Sequence, residues 1–203
     1  MTQPHRFSTF ETLCALLIAL CAFGTLTLQT SVDLTEGRSL PDALWSQARY
    51  FTNLMVLAVG LVFATTTLRR STTPGWITAL TVWIVLVGVV YHALLAATHN
   101  PEGLDITVNL FQHTLIPAGV LLFWWLFAPK HGLTYTHPAL WLACPLGYVG
   151  YAMARGASDG TYPYFFLNPV KTGGIGVLAY VIGLGAVFYL SGAALVLIAR
   201  RKG

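Results

Sequence analysis

Residues 48–70 read ARYFTNLMVLAVGLVFATTTLRR, and the fold class turns on them. Most of the stretch is apolar and long enough for the roughly 20 helical residues that cross a bilayer core. It ends on a pair of cations, Arg69 and Arg70, as a membrane helix does where it meets an aqueous surface. Yet Arg49, Thr52 and Asn53 stand together near its start, at spacings of three and four that a helix gathers onto one face. A cation, a hydroxyl and an amide on one side of a membrane helix call for a polar partner in the rest of the chain.

Outward from that stretch the pattern repeats. The chain has 203 residues, 56% hydrophobic and 9% charged, where a soluble domain carries about 25% charge. Six apolar segments follow one another, at residues 10–29, 45–68, 76–98, 105–127, 137–154 and 173–199. The first is long for a signal peptide, carries Glu11 near its start and has no small-x-small cleavage site, so it reads as a retained helix. The basic residues sit at segment ends, which is the pattern of membrane topology and excludes nucleic acid as a partner. Cys14, Cys21 and Cys144 all lie inside apolar runs, an odd number without metal-type spacing, which argues against a disulfide framework or a zinc ribbon. The expected fold is an all-α polytopic membrane protein, one domain over residues 1–203 forming a compact six-transmembrane-helix bundle.

Orientation follows from the loops. One set of segment ends holds Arg6, Arg69, Arg70, Lys130, Arg200, Arg201 and Lys202. The other holds Arg38, Arg49, Arg155 and Lys171, diluted by six carboxylates. The first set should be cytoplasmic, with both termini inside a cell (inner) membrane. Trp45, Trp76, Trp124, Trp125 and Trp141 fall near segment ends, where an aromatic belt is expected. Gly176, Ala179, Gly183 and Ala186 form a small-residue stripe suited to close helix packing.

The polar residues converge on the outer half. Asp105, Asn109 and His113 step by four down one helix face, and His92 and His99 share another. Thr52 and His113 lie seven and eight positions into their segments, at matching depths of roughly 10–12 Å. The loop GTYPYFFLNPVKTGG brings Tyr162 and Tyr164 to the same side. Bland readings exist for each: a lone membrane threonine ordinarily bonds the carbonyl one turn back, Asn109 can bridge helices, and Arg49 can snorkel. A deep histidine is different, because ionisable groups inside a membrane are costly and mark function. Pro117 adds to it, since a proline clashes with and cannot bond the carbonyl four residues earlier, here that of His113. Thr52, His113 and Asn109 are the residue types of a nucleophile, its base and an orienting partner. Arg49, Asn53 or a tyrosine hydroxyl would then stabilise an oxyanion.

At these residues the chain resembles a known family. RYFTNLMVLAV, VNLFQHTLIPAGVLLFWW and GTYPYFFLNP are similar, in order and spacing, to the signature regions of the androgen-induced membrane proteins. Those are six-helix proteins whose animal members hydrolyse fatty acid esters of hydroxy fatty acids. The resemblance implies a nucleophile at Thr52 and a catalytic histidine at His113, followed by Thr114 and, four residues on, Pro117. Two positions depart from the family pattern: Leu110 stands where animal members carry a further histidine, and Asn53 with uncharged neighbours stands where they carry an acidic residue.

Four functions compete on this reading. The first is a membrane-embedded threonine-dependent hydrolase of lipid esters, with Thr52 and His113 catalytic and Arg49, Asn53, His92, Asn109, Tyr162 and Tyr164 supporting or binding substrate. It needs no cofactor and no metal, and its partner is a membrane lipid or amphiphilic ester. The others are a lipid-binding or transport protein without turnover, a haem protein ligated through His92 and His113, and a metal site of His92, His99 and His113.

Overall fold

The computed structural model describes residues 6–202, and among these every regular element is helical. Five helices are long and apolar enough to cross a membrane: Thr9–Thr35, Phe51–Arg69, Pro74–Thr98, Leu104–Leu126 and Pro169–Arg201. This is the pattern of a polytopic membrane protein. The chain divides at His131 and Gly132 into two compact units.

In the first unit, α1 (Thr9–Thr35) begins with a capping box. The Glu11 carboxylate accepts from the Ser8 N–H at 2.6 Å, and the Glu11 N–H donates to Ser8 Oγ at 3.3 Å. Glu11 therefore satisfies amides that a helix start leaves open. At its other end α1 runs past residue 29, so that Asp33 lies in its last turn. The short helix α2 (Leu40–Gln47) follows, with a Ser39 cap and Pro41 in its first turn. A non-helical turn at 48–50 separates it from α3 (Phe51–Arg69). The expected single helix over 45–68 is thus two helices, and Arg49 does not share a helix face with Thr52 and Asn53.

Helix α4 (Pro74–Val90) ends in a π turn, Tyr91–Leu95, and a 3₁₀ turn, Ala96–Thr98. Helix α5 (Leu104–Leu110) passes through a second π turn, Phe111–Leu115, into α6 (Ile116–Leu126). Close approaches position these helices. A Cβ on Gly60 of α3 would lie 2.8 Å from the Phe23 ring of α1, and one on Gly88 of α4 would lie 2.7 Å from the backbone oxygen of His113. Phe63 and Phe123 meet edge to face at 5.0 Å, and Phe7 joins Phe123 at 5.6 Å. Trp124 is buried and donates to Thr78 Oγ1 at 2.9 Å, so it is a core residue rather than part of a belt. At the same end, Lys130 Nζ donates to the carbonyls of Trp124, Trp125 and Ala128, capping α6 as a cation favours.

The second unit holds α7 (His137–Trp141), α8 (Ala143–Asp159) and α9 (Pro169–Lys202). The segment expected as one helix at 137–154 is broken at Leu142. In an unbroken helix the Trp141 carbonyl would have to bond residue 145, a proline, which has no N–H to give. Trp141 is buried as well; a Cβ on Gly192 would lie 3.3 Å from its ring. Helix α9 kinks at Gly173 (φ 69°, ψ 162°). Of the expected packing stripe on α9, Ala179, Gly183 and Ala186 are exposed, and nothing lies within 4 Å of a Cβ on Gly183. The stripe makes no close helix packing within this unit.

Candidate active site

Where α3 starts decides what Thr52 can do. Tyr50 is extended (φ −97°, ψ 130°) and gives no side-chain cap, so Thr52 is the second residue of the helix. The threonines inside helices behave as membrane threonines ordinarily do. Thr25, Thr27, Thr67, Thr78 and Thr81 each donate to the carbonyl four residues back, at 2.7–2.9 Å. Thr52 has no helical turn behind it. Its buried hydroxyl instead faces His113 Nε2 at 3.4 Å. That is longer than a formed O–H···N bond and within the looser range of catalytic pairs before substrate binds. Around it lie the first-turn amides of α3, which a helix cannot satisfy internally and which carry the positive end of its dipole.

His113 sits in the second π turn, where the Ile116 N–H reaches back five residues to Phe111. Such turns are rare and concentrate at functional sites. The ring is fixed at its edge by the Asn109 backbone carbonyl, which accepts from His113 Nδ1 at 3.2 Å. Nδ1 therefore carries the proton, and Nε2 presents a lone pair to the Thr52 hydroxyl. Its face is covered by Tyr91, from the first π turn, stacked at a centroid distance of 3.8 Å and an interplanar angle of 19°. The Pro117 effect appears one helix away: the His113 carbonyl, to which proline can donate nothing, lies against Gly88 of α4.

Asn109 acts differently from expectation. Its backbone, not its amide, orients His113. The amide donates to Tyr91 Oη at 2.8 Å and lies 3.1 Å from His99 Nδ1, and the Tyr91 hydroxyl lies 3.1 Å from the same nitrogen. With Asn109 donating to Tyr91 and Tyr91 to His99, every polar atom in the triangle has a partner.

A second network holds the start of α3. The Asn53 amide donates to the Gln47 carbonyl at 3.1 Å and accepts from Gln112 Nε2 at 3.1 Å. Gln47 Nε2 in turn donates to Asp33 at 2.8 Å and to Thr30 at 3.1 Å. Asp33 is paired with Arg38 at 2.8 Å. Asp33, Gln47 and Gln112 are all buried, so α1, α2, α3 and the second π turn are tied together beside Thr52.

The structure thus brings Thr52, His113, Asn109 and Asn53 together in the first unit. His92 stands beside the site rather than in it: it is exposed, its Nε2 lies 3.0 Å from Thr114 Oγ1, and its ring meets Tyr91 edge to face at 5.2 Å. Arg49 lies in the turn at 48–50. Tyr162 and Tyr164 belong to the second unit, where Tyr162 packs on Gly156 and Tyr164 stacks on Phe166 at 5.0 Å. Sequence reasoning missed Tyr91, Gln112, Gln47 and Asp33. Gln112 carried a usable signal, a second amide beside His113 in an apolar run. Among the described residues no group of three or more His, Cys, Asp or Glu side chains is arranged to hold a metal ion.

No family model matches the chain, and no curated protein or solved structure matches it.

Proposed function

We propose that the chain is a membrane-embedded hydrolase of lipid esters, with Thr52 as nucleophile and His113 as general base. One observation carries this reading: Thr52 Oγ1 lies 3.4 Å from His113 Nε2 while His113 Nδ1 is held at 3.2 Å by a carbonyl. Nucleophile, base and orienting acceptor stand in line, the arrangement that activates a hydroxyl. His113 takes the Thr52 proton as Oγ bonds to the ester carbonyl carbon. It returns that proton to the departing alkoxide, leaving an acyl-threonine and a free alcohol. Water, deprotonated by the same ring, then releases the fatty acid and restores Thr52. The backbone amides of Thr52 and Asn53, in the first turn of α3, are donors suited to a developing oxyanion. They join Arg49, the Asn53 side chain and a tyrosine hydroxyl as candidates for that role.

The same proposal includes six crossings. Residues 137–159, bent at Leu142, form the sixth; α7 and α8 together span about 34 Å at the helical rise. Arg69, Arg70, Lys130 and both termini then face the cytoplasm of a cell (inner) membrane, and Thr52 opens to the outer leaflet. An amphiphile's ester linkage sits a short way below the headgroups, the level of a site lined by polar residues yet enclosed by apolar helices. Fatty acid esters of hydroxy fatty acids are substrates of this kind.

Labelling with a fluorophosphonate, together with turnover of a long-chain ester, tests the reading on the detergent-solubilised chain. Thr52→Ala should abolish both, Thr52→Ser should keep a measurable part, and His113→Ala should cost about 10²-fold or more in turnover. Labelling unchanged in Thr52→Ala would remove the nucleophile from this position. Lipid binding without turnover in the unmodified chain would make it a binding protein.

A further inference from the structure

Tyr91 lies against three histidines: His113 of the pair, and His92 and His99 beside it. Its ring stacks on His113, and its edge meets His92 and His99 at 5.2 and 5.8 Å. It is buried, and its hydroxyl is anchored twice, by Asn109 Nδ2 at 2.8 Å and His99 Nδ1 at 3.1 Å. The remaining freedom of His113 defines what such a residue can do. Its ring turns about the bond to Cβ, a broad torsion for histidine, and on its edge only the single bond from Nδ1 to the Asn109 carbonyl is seen to oppose that turn. Rotation by half a turn would carry Nε2 away from Thr52. A flat ring 3.8 Å from one face blocks that rotation. The anchors matter because an unanchored phenol would turn with the imidazole instead of resisting it.

We infer that Tyr91 is a positioning residue, a face clamp that holds His113 in the rotamer and tautomer presenting Nε2 to Thr52. Asn109 serves it twice, with its carbonyl on the edge of His113 and its amide on the hydroxyl of the clamp. This rests on the Thr52–His113 reading, and the two fail differently.

The experiment uses the full chain in detergent, with Tyr91→Leu, Tyr91→Phe and His113→Ala compared by fluorophosphonate labelling, by kcat and KM on a long-chain ester, and by ¹⁵N spectra of histidine-labelled protein. Tyr91→Leu removes the face, and its kcat should fall by about 10²-fold, the cost of a misplaced catalytic group, with KM nearly unchanged. Tyr91→Phe keeps the face and loses the anchors, so kcat should fall by less, about three- to tenfold. The His113 signals, identified by their loss in His113→Ala, should move from a single Nδ1-protonated form to an average of two tautomers in both Tyr91 variants. If His113→Ala is inactive while Tyr91→Leu and Tyr91→Phe label at the original rate, the clamp is overturned and the catalytic pair stands. If His113→Ala labels normally, the pair itself falls. Should Tyr91→Leu not fold, Tyr91→Phe decides alone: an unchanged rate with an unchanged tautomer overturns the proposal.

Discussion

Replacing Gly88 by alanine tests the geometry of the site from the opposite helix. The new Cβ would lie 2.7 Å from the His113 backbone oxygen and 3.4 Å from the Pro117 ring. Ordinary contact between such atoms needs roughly half an ångström more, and a backbone oxygen in a π turn cannot swing aside as a side-chain tip can. Helix α4 must separate from the turn carrying His113, or His113 must move with its carbonyl. Overpacking of this kind costs about 1–3 kcal/mol, while alanine regains about 1 kcal/mol of helix propensity over glycine. The net loss is then about 0–2 kcal/mol, or no more than about 8 °C in Tm for a chain of this size. Activity should respond more sharply. A displacement near half an ångström at the base, where 1 Å can cost about 10²-fold, corresponds to about tenfold in kcat. Gly60→Ala provides the contrast. Its Cβ would meet the Phe23 ring at 2.8 Å, two turns along α3 from Thr52, so it should lower Tm comparably and leave turnover per folded molecule intact. Gly119→Ala, with its nearest neighbour 3.9 Å away, should leave turnover intact and raise Tm by about 2–4 °C through helix propensity. Thermal unfolding and ester turnover on the same preparations decide the matter. A Gly88→Ala protein with unaltered kcat would refute the claim that this contact sets the position of His113.

Two further outcomes follow from other parts of the first unit. Asp33→Ala removes the acceptor of both Arg38 and Gln47 and leaves a buried amide short of a partner, so Tm should drop by an amount corresponding to about 1–3 kcal/mol. A surface-like effect within about 0.5 kcal/mol would show the network to be incidental. A cysteine introduced at Asn100, in a background lacking the native cysteines, should react with an impermeant thiol reagent from the side opposite one introduced at Ser71. Labelling of both from the same side would overturn the proposed topology.

The helical class was legible because it follows from composition and segment length, which the bilayer constrains tightly. Thr52 and His113 were legible as polar groups at corresponding positions in apolar segments. What eluded the sequence were the interruptions. Residues 45–53 hold Ser46, Gln47, Arg49, Thr52 and Asn53, and this polarity reads as one face of a longer helix although it marks the turn at 48–50 after which α3 begins at Phe51. Both π turns were invisible, because one extra residue per turn changes register without changing composition. Tyr91 hid among the aromatic residues of an apolar helix end, and its role depends on a register that only the turns define. The break at Leu142 had a signal, Pro145 one turn further on. Asp33 was assigned to a loop because the first apolar run fades before the helix does; α1 continues to Thr35 on polar residues.

The turn at 48–50 links the two networks. His113 is the tenth residue of the helical run Leu104–Leu126, about 14 Å from its start. Helix α3 begins level with that histidine, since its second residue faces the ring. Beginning a helix inside a membrane span leaves its first amides without helical acceptors, and in hydrocarbon each unsatisfied group is costly. An unbroken helix over 45–68 would have avoided the cost and buried the Thr52 hydroxyl against its own backbone, as happens to Thr25 and Thr81. The interruption frees the hydroxyl for His113 and turns the helix dipole toward it. It also explains why so many buried amides gather nearby. Asn53 takes up one group at the break, the Gln47 carbonyl, and accepts from Gln112, while the Gln47 side chain joins α2 to Asp33. A continuous helix would need fewer such partners. Under the proposed chemistry, the amides left in the first turn are the ones a developing oxyanion would use.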